Sequence, residues 1–214
     1  MNENPLPRRW FLRQGPAGRQ LPARAGRALQ GFTLLELTVV LAIVAVLTTL
    51  AIPSFKRLAQ SSTMSGNVNT FMADLRFARS ESMRRGGGVV MCRSDAPEAV
   101  SPICNTSSGP GDRGWVSGWI VYLDAHNDGV IDSGDLLRIQ APIAGIDSIA
   151  ENGGNASSIF RFTATGRLLD VSSATSLQFG GSAYAGDVQR VLCVSSGGRA
   201  RIAGNGAASC GADS

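Results

Sequence analysis

A predominantly apolar run of 21 residues, at positions 32–52, constrains this chain more than any other feature. As a helix the run would be about 31 Å long, which is enough to cross the hydrocarbon core of a bilayer. Six arginines and one acidic residue precede it, so we expect the N-terminus to stay in the cytoplasm. Everything after Ile52 should then lie on the far side of the membrane.

The segment before the run does not have the order of an ordinary secretory signal. Such a signal places its apolar core before the cleavage site, whereas here arginines and prolines come first and the apolar core follows Gly31. A peptidase that cut after Gly31 would act on the cytoplasmic side. The mature protein would keep its membrane helix and begin with a free amine on Phe32.

Glu36 is the only charged residue in the apolar run. A charged carboxylate near a helix end in lipid costs a few kcal/mol, and less if the side chain reaches the interface. In one explanation, Glu36 pairs with the new amine of Phe32 on a neighbouring subunit. In the other, it lies close enough to the interface to stay hydrated, and position and charge leave both explanations open.

Charge is divided unevenly between the leader and the remainder of the chain. The formal net charge is +4, but beyond Gly31 there are 14 basic and 15 acidic residues. The high pI of about 9.2 therefore belongs mainly to the leader. Nucleic-acid binding would require a local basic patch rather than the overall charge.

Four cysteines form two pairs that are close in sequence, Cys92 with Cys104 and Cys193 with Cys210. An even number at loop-like spacings, with no CxxC motif, favours disulfides in an oxidising compartment. Buried or free thiols are the alternative. Because Cys104 and Cys210 lie in Gly-, Ser- and Pro-rich stretches that would expose a thiol, we expect the two disulfides.

The chain after the membrane run is predicted to continue as a helix to about residue 84. Pro53 removes a backbone donor and predicts a kink or local loosening. Beyond it, apolar residues recur every three or four positions, which is typical of an amphipathic helix packed on a core. The apolar stripe consists of Phe55, Leu58, Met64, Val68, Phe71, Met72, Leu75, Ala78 and Met83, and Asp74 falls outside it. The glycines at 86–88 should end the helix.

From residue 85 onward the pattern predicts short β-strands separated by turn residues, with no helices between them. The predicted strands are residues 89–92, 119–124, 136–140, 147–150, 159–163, 167–169, 176–179 and 189–195. The expected fold class is α+β, with a long N-terminal helix, transmembrane in its first half, packed on an antiparallel sheet or sandwich. The expected domains are a leader (1–31), the helix (32–84, with 32–52 in the membrane) and a head (85–214).

An acidic loop is similar to a calcium site but is better explained as a turn. Its oxygen ligands alternate as calcium loops require, yet the bidentate Glu at the end is missing and His126 is a poor calcium ligand. The sequence Asn127-Asp128-Gly129 between apolar strands favours a hairpin. The candidate residues are Asp124, His126, Asp128, Gly129, Asp132 and Asp135.

Catalysis has little support in the sequence. His126 is the single histidine, so a Ser–His or Cys–His pair could use only that turn residue. There is no Walker-type phosphate loop, and the glycines at 86–88 favour a helix terminator over a ligand cradle. We therefore expect no enzyme, no metal and no cofactor, with a calcium-dependent or enzymatic ectodomain as a less favoured class.

The tetrapeptide GRAR at 198–201 is the remaining candidate for a binding site. In an extended segment Arg199 and Arg201 point to the same side, and Gly198 would allow a phosphate backbone to approach. The locally positive region would be enlarged by Arg161, Arg167 and Arg190. A solvated edge strand protected by charge is the alternative, and the spacing alone favours it.

The segment GFTLLEL at 31–37 resembles the class III signal of type IV prepilins and type II secretion pseudopilins. Its signature is a glycine, a phenylalanine and a glutamate five positions after the glycine, at the head of an apolar helix. The resemblance implies cleavage after Gly31 by prepilin peptidase, N-methylation of Phe32 and a role for Glu36 in subunit assembly. It also implies a single-pass inner-membrane protein with a periplasmic head. This protein would become part of a pilus by assembling with other minor and major pilins. The leader of 31 residues is long for such proteins.

The body of the chain resembles the minor pilin FimT and the pseudopilin GspH. The matching stretches are VMC at 90–92, GWVSGWIVYLDAHNDGVIDSGDLLRI at 114–139 and FRFTATGRL at 160–168. The GRAR segment fits the GRxR tail motif of FimT proteins that bind DNA during natural transformation. The resemblance thus implies a minor pilin that holds double-stranded DNA through Gly198, Arg199 and Arg201 without reading its sequence. The alternative is a GspH-like pseudopilin of a type II secretion system, whose head contacts other pseudopilins.

Overall fold

The computed structural model describes residues 31–132, 134–152, 159–169, 175–203 and 210. Within these ranges the chain has one long helix, two short 3₁₀ helices and eight strands. The helix is α1 (Leu34–Arg85), and the 3₁₀ helices are Pro110–Asp112 and Trp115–Ser117. The strands are β1 (Val89–Arg93), β2 (Trp119–Leu123), β3 (Leu136–Gln140), β4 (Ser148–Asn152), β5 (Ile159–Phe162), β6 (Thr175–Gly180), β7 (Arg190–Val194) and β8 (Ala200–Ile202). The chain divides into two compact units, Met1–Ala45 and Val46–Ser214, and residues 1–30 of the predicted leader lie outside the described ranges.

Thr33 caps the beginning of α1. Its Oγ1 accepts the N–H of Glu36 at 3.1 Å, and its carbonyl oxygen accepts the N–H of Leu37 at 3.1 Å. A threonine at this position satisfies a donor that the helix start leaves unpaired, and Thr followed three residues later by Glu is the capping-box pattern. The helix therefore begins at Leu34, and Gly31 and Phe32 precede it.

Burial of the second part of α1 begins later than the apolar stripe predicts. The chain is helical on both sides of Pro53. Phe55 and Leu58 belong to the stripe but are 71% and 68% exposed, and Met83 is also exposed. The stripe residues that are buried are Met64, Val68, Phe71, Met72, Leu75 and Ala78. Periodicity shows which face of a helix is apolar, but it does not show how far along the helix the sheets extend.

The eight strands form two antiparallel four-stranded sheets, with orders β3-β2-β1-β5 and β4-β6-β7-β8. Inward-facing residues of both sheets share one core with α1. At its centre, the Phe71 ring meets the rings of Trp115, Trp119, Phe160 and Phe179 edge-on, with centroid distances from 4.9 to 6.4 Å. Such pairs contribute about 0.5–1.5 kcal/mol each beyond burial. The predicted fold class, a long helix packed on antiparallel sheets, is confirmed.

Each sheet carries a disulfide on the face that points away from this core. On the first sheet, Cys92 of β1 is bonded to Cys104 within an outer apolar cluster. On the second sheet, Cys193 of β7 is bonded to Cys210 within another. These are the pairs that the cysteine spacing predicts. Through these bonds Cys104 and Cys210 pack against outward-facing strand residues.

Two features near the end of the chain differ from the predicted strands. Residues 167–169 do not form a strand; Leu168 makes only an isolated bridge to Phe162. Residues 163–167 instead form a tight turn, in which the N–H of Thr163 donates to the carbonyl oxygen of Arg167 at 2.8 Å. The structure adds a strand, β8, that the sequence pattern does not predict, because three residues are too few to show a clear alternation.

Asp74 is buried although it falls outside the apolar stripe. Its carboxylate accepts the indole N–H of Trp119 at 2.8 Å and a guanidinium N–H of Arg138 at 2.5 Å. The same guanidinium lies 4.3 Å from the centre of the Phe77 ring. A buried carboxylate with partners from β2 and β3 therefore joins α1 to the first sheet.

Candidate nucleic-acid interface

A cleft of about 630 Å³ lies where α1, the turn after β5 and the β7–β8 hairpin meet, and we call it the arginine cleft. Its described lining residues are Arg79, Thr165, Arg167, Cys193, Ser195, Ser196, Gly197, Arg199 and Arg201. Four of these nine residues are arginines and none of the nine is acidic. Guanidinium groups form charge-assisted, bidentate hydrogen bonds with phosphate oxygens, so the chemistry of this cleft suits phosphate esters.

The β7–β8 hairpin supplies two of the four arginines. Its turn, residues 195–199, is closed by the N–H of Ser195 donating to Arg199 at 2.9 Å and the N–H of Gly198 donating to Ser195 at 2.8 Å. Arg199 directly precedes β8 and Arg201 lies within it. As side-chain alternation requires, both arginines lie on the same side, and both are exposed in the cleft.

The GRAR sequence suggests that Gly198 lets a phosphate backbone approach, but in the structure a part of the protein itself lies beside this glycine. Its φ is +71°, and a Cβ at this position would lie 2.2 Å from the carbonyl oxygen of Gly166. The missing side chain lets the 195–199 turn touch the 163–167 turn. The close approach that the glycine allows is therefore to the protein backbone of a second turn.

Arg79 also lines the cleft, although no sequence pattern predicts it there. It lies on α1, is half-buried, and its Nε donates to the carbonyl oxygen of Gly166 at 2.9 Å. One turn further along α1, the Ser82 hydroxyl lies 2.8 Å from the carbonyl oxygen of Phe162 and 2.9 Å from that of Thr163. These contacts hold the 163–167 turn against the helix. No local signal separates Arg79 from other helix arginines, because its partner is 87 residues away.

The structure brings together three of the five predicted arginines and separates the other two. Arg167 lies in the arginine cleft with the GRAR arginines. Arg161 lines a different cavity of about 470 Å³, together with Arg85 and the glycines at 86–88. Arg190 donates to three backbone carbonyl oxygens close to it in sequence and is not among the described lining residues of the cleft.

The positive charge of the cleft is not offset by ion pairs among the described residues. The salt bridges in the described ranges involve other arginines and the single histidine. Glu81, two residues after Arg79 on α1, is held by Arg84 and Arg85 at 2.5 and 2.6 Å. Hydrogen bonds from these two guanidiniums lower the pKa of the Glu81 carboxyl to about 2. Its charge is thus balanced locally.

The acidic loop between β2 and β3 is a turn organised by its own carboxylates. The Asp124 carboxylate accepts the N–H of Asp128 at 3.0 Å and that of Gly129 at 3.1 Å. His126 is exposed, with Nδ1 3.9 Å from the Asp132 carboxylate. In the ranges that the structure describes, no three His, Cys, Asp or Glu side chains are grouped so that they would hold a metal ion.

The predicted processing segment lies at the exposed start of α1. Phe32 is 85% exposed, and a Cβ at Gly31 would meet no atom within 4 Å. The peptide bond between them precedes the capped helix, and Glu36 lies in the first turn. By length and apolar composition α1 can cross a membrane, and its most apolar window is not buried within the structure.

Comparison with known proteins gave two family matches. The model of the type II transport protein GspH matches residues 67–198, and that of the prokaryotic N-terminal methylation motif matches residues 27–52. The first match includes Arg79 and Arg167 and ends at Gly198, so that Arg199 and Arg201 lie just beyond it.

Among solved structures, the chain is similar to two crystal forms of the type IV minor pilin FimU of Pseudomonas aeruginosa strain PAO1. Sequence identity is 19% in both, and the TM-scores are 0.49 and 0.45. The matches cover 66% and 65% of this chain and 88% and 92% of those chains. No curated protein sequence matches the chain.

Proposed function

The chain belongs to the family of the type II transport protein GspH, and we propose that it is a minor pilin that takes part in type IV pilus assembly and binds extracellular DNA for uptake in natural transformation. Members of this class are pilin structural proteins of type IV pili or type II secretion systems, and they are not known as enzymes. The N-terminal methylation motif implies processing by prepilin peptidase and other pilins as partners. The apolar helix anchors the chain in the inner membrane before assembly, with the head domain outside it.

The arginine cleft carries the DNA part of the proposal. Arg199, directly before β8, and Arg201, within β8, lie on the same side of the chain in a cleft with no acidic residue among its described lining. Contacts between guanidiniums and backbone phosphates release counterions and do not depend on base sequence. Beyond Gly31 the chain has 14 basic and 15 acidic residues. Long-range attraction is therefore weak, and binding depends on this local patch.

A small number of phosphate contacts suits the task of a retracting filament. Such contacts give modest affinity that falls steeply with salt concentration. A subunit of this kind holds DNA during retraction and then releases it. Several copies in one filament, or a second DNA-binding pilin, would raise the avidity without a new contact in this chain.

The double substitution Arg199→Gln with Arg201→Gln tests the proposal. We expect the full-length variant in detergent to lose gel-shift binding to duplex DNA, and the strain that carries it to lose transformation. Folding and pilus assembly should persist, because both side chains are exposed. Arg57→Gln with Arg76→Gln removes the same charge from two exposed positions of α1 outside the cleft and is the matched control. A GRAR variant that binds as well as the wild type, or a wild type that does not bind at low salt, would contradict the proposal.

A pseudopilin of a type II secretion system is the second candidate, since the family match itself is to a protein of that name. In this case the head domain would contact other pseudopilins instead of DNA. A deletion strain separates the two functions. Loss of transformation with normal protein secretion supports the pilus, and the reverse result supports the secretion system. The neighbouring genes give a second test: pilus genes beside this one support the minor pilin, and secretion-system genes support the pseudopilin.

A further inference from the structure

We infer that DNA is held by a composite clamp of four arginines, in which Arg79 of α1 and Arg167 of the 163–167 turn contact phosphates together with Arg199 and Arg201. The inference rests on the proposed DNA binding and deepens it. It extends the contact surface from the tail motif to the long helix. The tail motif is then one side of the clamp, and α1 with the adjoining turn is the other.

Three chain segments that are distant in sequence are interlocked at one backbone oxygen, that of Gly166. Arg79 donates to this oxygen from α1 at 2.9 Å. Gly198 packs so closely beside it that a Cβ would lie 2.2 Å away. The N–H of Leu168 also donates to the carbonyl oxygen of Ser196 at 2.9 Å. This bond joins the end of the 163–167 turn to the β7–β8 hairpin. Because these contacts hold the three segments together, the positions from which their arginines extend are set before any ligand arrives.

Arg79 keeps donors for a ligand while it holds the turn. A guanidinium carries five N–H donors, and the contact with Gly166 uses only the one on Nε. The side chain is half-buried and lines the cleft, and its Nε bond to Gly166 restrains its orientation. A preorganised guanidinium loses less conformational entropy for each hydrogen bond that it forms with a phosphate.

Arg167 is positioned through its backbone and presents its side chain to the cleft. Its N–H donates to the Thr163 hydroxyl at 3.1 Å, and its carbonyl oxygen accepts the N–H of Thr163 at 2.8 Å. These bonds close the turn without using the guanidinium. The side chain is exposed, and in the described ranges neither Arg79 nor Arg167 forms an ion pair.

The number of phosphate contacts has a measurable consequence for salt dependence. Each neutralised phosphate of duplex DNA contributes about −0.9 to the slope of log K against log salt concentration. Two contacts therefore predict a slope of about −1.8, and four predict about −3.6. Between about 50 and 200 mM salt, the affinity would fall roughly 10-fold with two contacts and roughly 100-fold with four.

The clamp would also transmit the pulling force of bound DNA to α1, the helix that is proposed to enter the filament. A phosphate held by Arg79 pulls directly on α1, whereas a phosphate held by Arg199 or Arg201 pulls on an edge strand of three residues.

The test is a salt titration of the full-length processed protein in detergent micelles. Fluorescence anisotropy of a labelled random-sequence duplex of about 30 base pairs is measured for the wild type, Arg79→Gln, Arg167→Gln and the double variant. Arg76→Gln is the matched control, because it removes the same charge from an exposed position three residues away on α1. Each cleft substitution should reduce the magnitude of the slope by about 0.9, the double variant should reduce it by about 1.8, and the control should leave it unchanged.

The outcomes separate this inference from the proposed function. If the Arg79/Arg167 double variant keeps the wild-type slope while Arg199→Gln with Arg201→Gln abolishes binding, the clamp is wrong and DNA binding by the tail motif stands. A wild type that binds no DNA overturns both. Arg79→Lys keeps the charge and should keep most of the slope. If Arg79→Gln weakens binding with no change in slope, Arg79 only supports the 163–167 turn, and its phosphate contact is refuted.

Discussion

Gly198 adopts a left-handed backbone conformation with a φ of +71°, and the carbonyl oxygen of Gly166 occupies the space beside it. We predict that Gly198→Ala moves the tip of the β7–β8 hairpin away from the 163–167 turn. The strained φ alone should lower the free energy of unfolding by about 1–3 kcal/mol. DNA affinity should fall as well, because Arg199 follows directly. Thermal unfolding and anisotropy titrations measure the two effects.

The neighbouring glycine provides the control for this prediction. Gly197 is not in the left-handed region, and a Cβ there would meet the Ser195 hydroxyl at 3.7 Å, an ordinary contact. Gly197→Ala should therefore change stability and DNA affinity little. Equal effects of the two substitutions would show that the contact with Gly166 is not the reason why position 198 requires a glycine.

Glu81 provides a prediction about pH. Hydrogen bonds from Arg84, and then from Arg85, hold the pKa of its carboxyl at about 2, below the usual value of 4.5. Since the pKa is lowered in the folded state, the contribution to stability is fully present above about pH 4.5 and is lost as the pH falls towards 2. The difference in Tm between the wild type and Glu81→Gln should shrink over this range, and solvent screening should keep it small. A difference that is constant down to about pH 2 would refute the role of Glu81.

At the scale of elements, each sheet carries a disulfide on its outer face. The two bonds close loops with sequence separations of 12 and 17 residues. In the chain-entropy treatment, a loop of this length gives about 3 kcal/mol of stabilisation. Replacing either pair of cysteines by serine should lower the free energy of unfolding by about that amount in urea titrations. Cross-pairing or free thiols in non-reducing peptide maps of the wild type would contradict the assignment.

The two disulfides should differ in their effect on DNA binding. Cys193 lines the arginine cleft and lies opposite Arg201 in the β7–β8 ladder. Serine replacements of Cys193 and Cys210 should therefore weaken binding as well as stability. The Cys92–Cys104 bond lies on the other sheet, so its removal should affect stability alone. If removal of either disulfide weakened DNA binding equally, the loss could not be assigned to the arginine cleft.

At the scale of the whole molecule, the proposed function requires processing and assembly. We predict that the mature protein begins at Phe32 and that Gly31→Leu blocks cleavage, because the scissile bond lies just before the capped helix. Glu36→Ala should leave cleavage largely intact but impair entry into filaments. Intact-mass measurement of membrane-extracted protein and the subunit content of sheared filaments test these effects. A mature chain that still carries residues before Phe32, or normal filament entry of the Glu36 variant, would show the prediction to be wrong.

Local patterns in the sequence determined the membrane helix, the processing motif, most of the strands and the cysteine pairs. Each of these features depends on residues that are close along the chain. The apolar run is contiguous at 32–52, strand alternation has a period of two, and each cysteine pair closes a short loop. The placement of Arg199 and Arg201 on one side is also a local feature, since it follows from their separation by a single residue.

Only the tertiary structure decided which arginines share a surface and which polar groups are buried. Arg79 joins the cleft because the carbonyl oxygen of Gly166 lies beside α1, although the two residues are 87 positions apart. Arg161 and Arg190 are closer to the tail motif in sequence and yet lie outside the cleft. Asp74 is buried because Trp119 and Arg138 bring donors to it from two strands. Sequence periodicity describes one element at a time, whereas these contacts depend on how close different elements come when they pack around a common core.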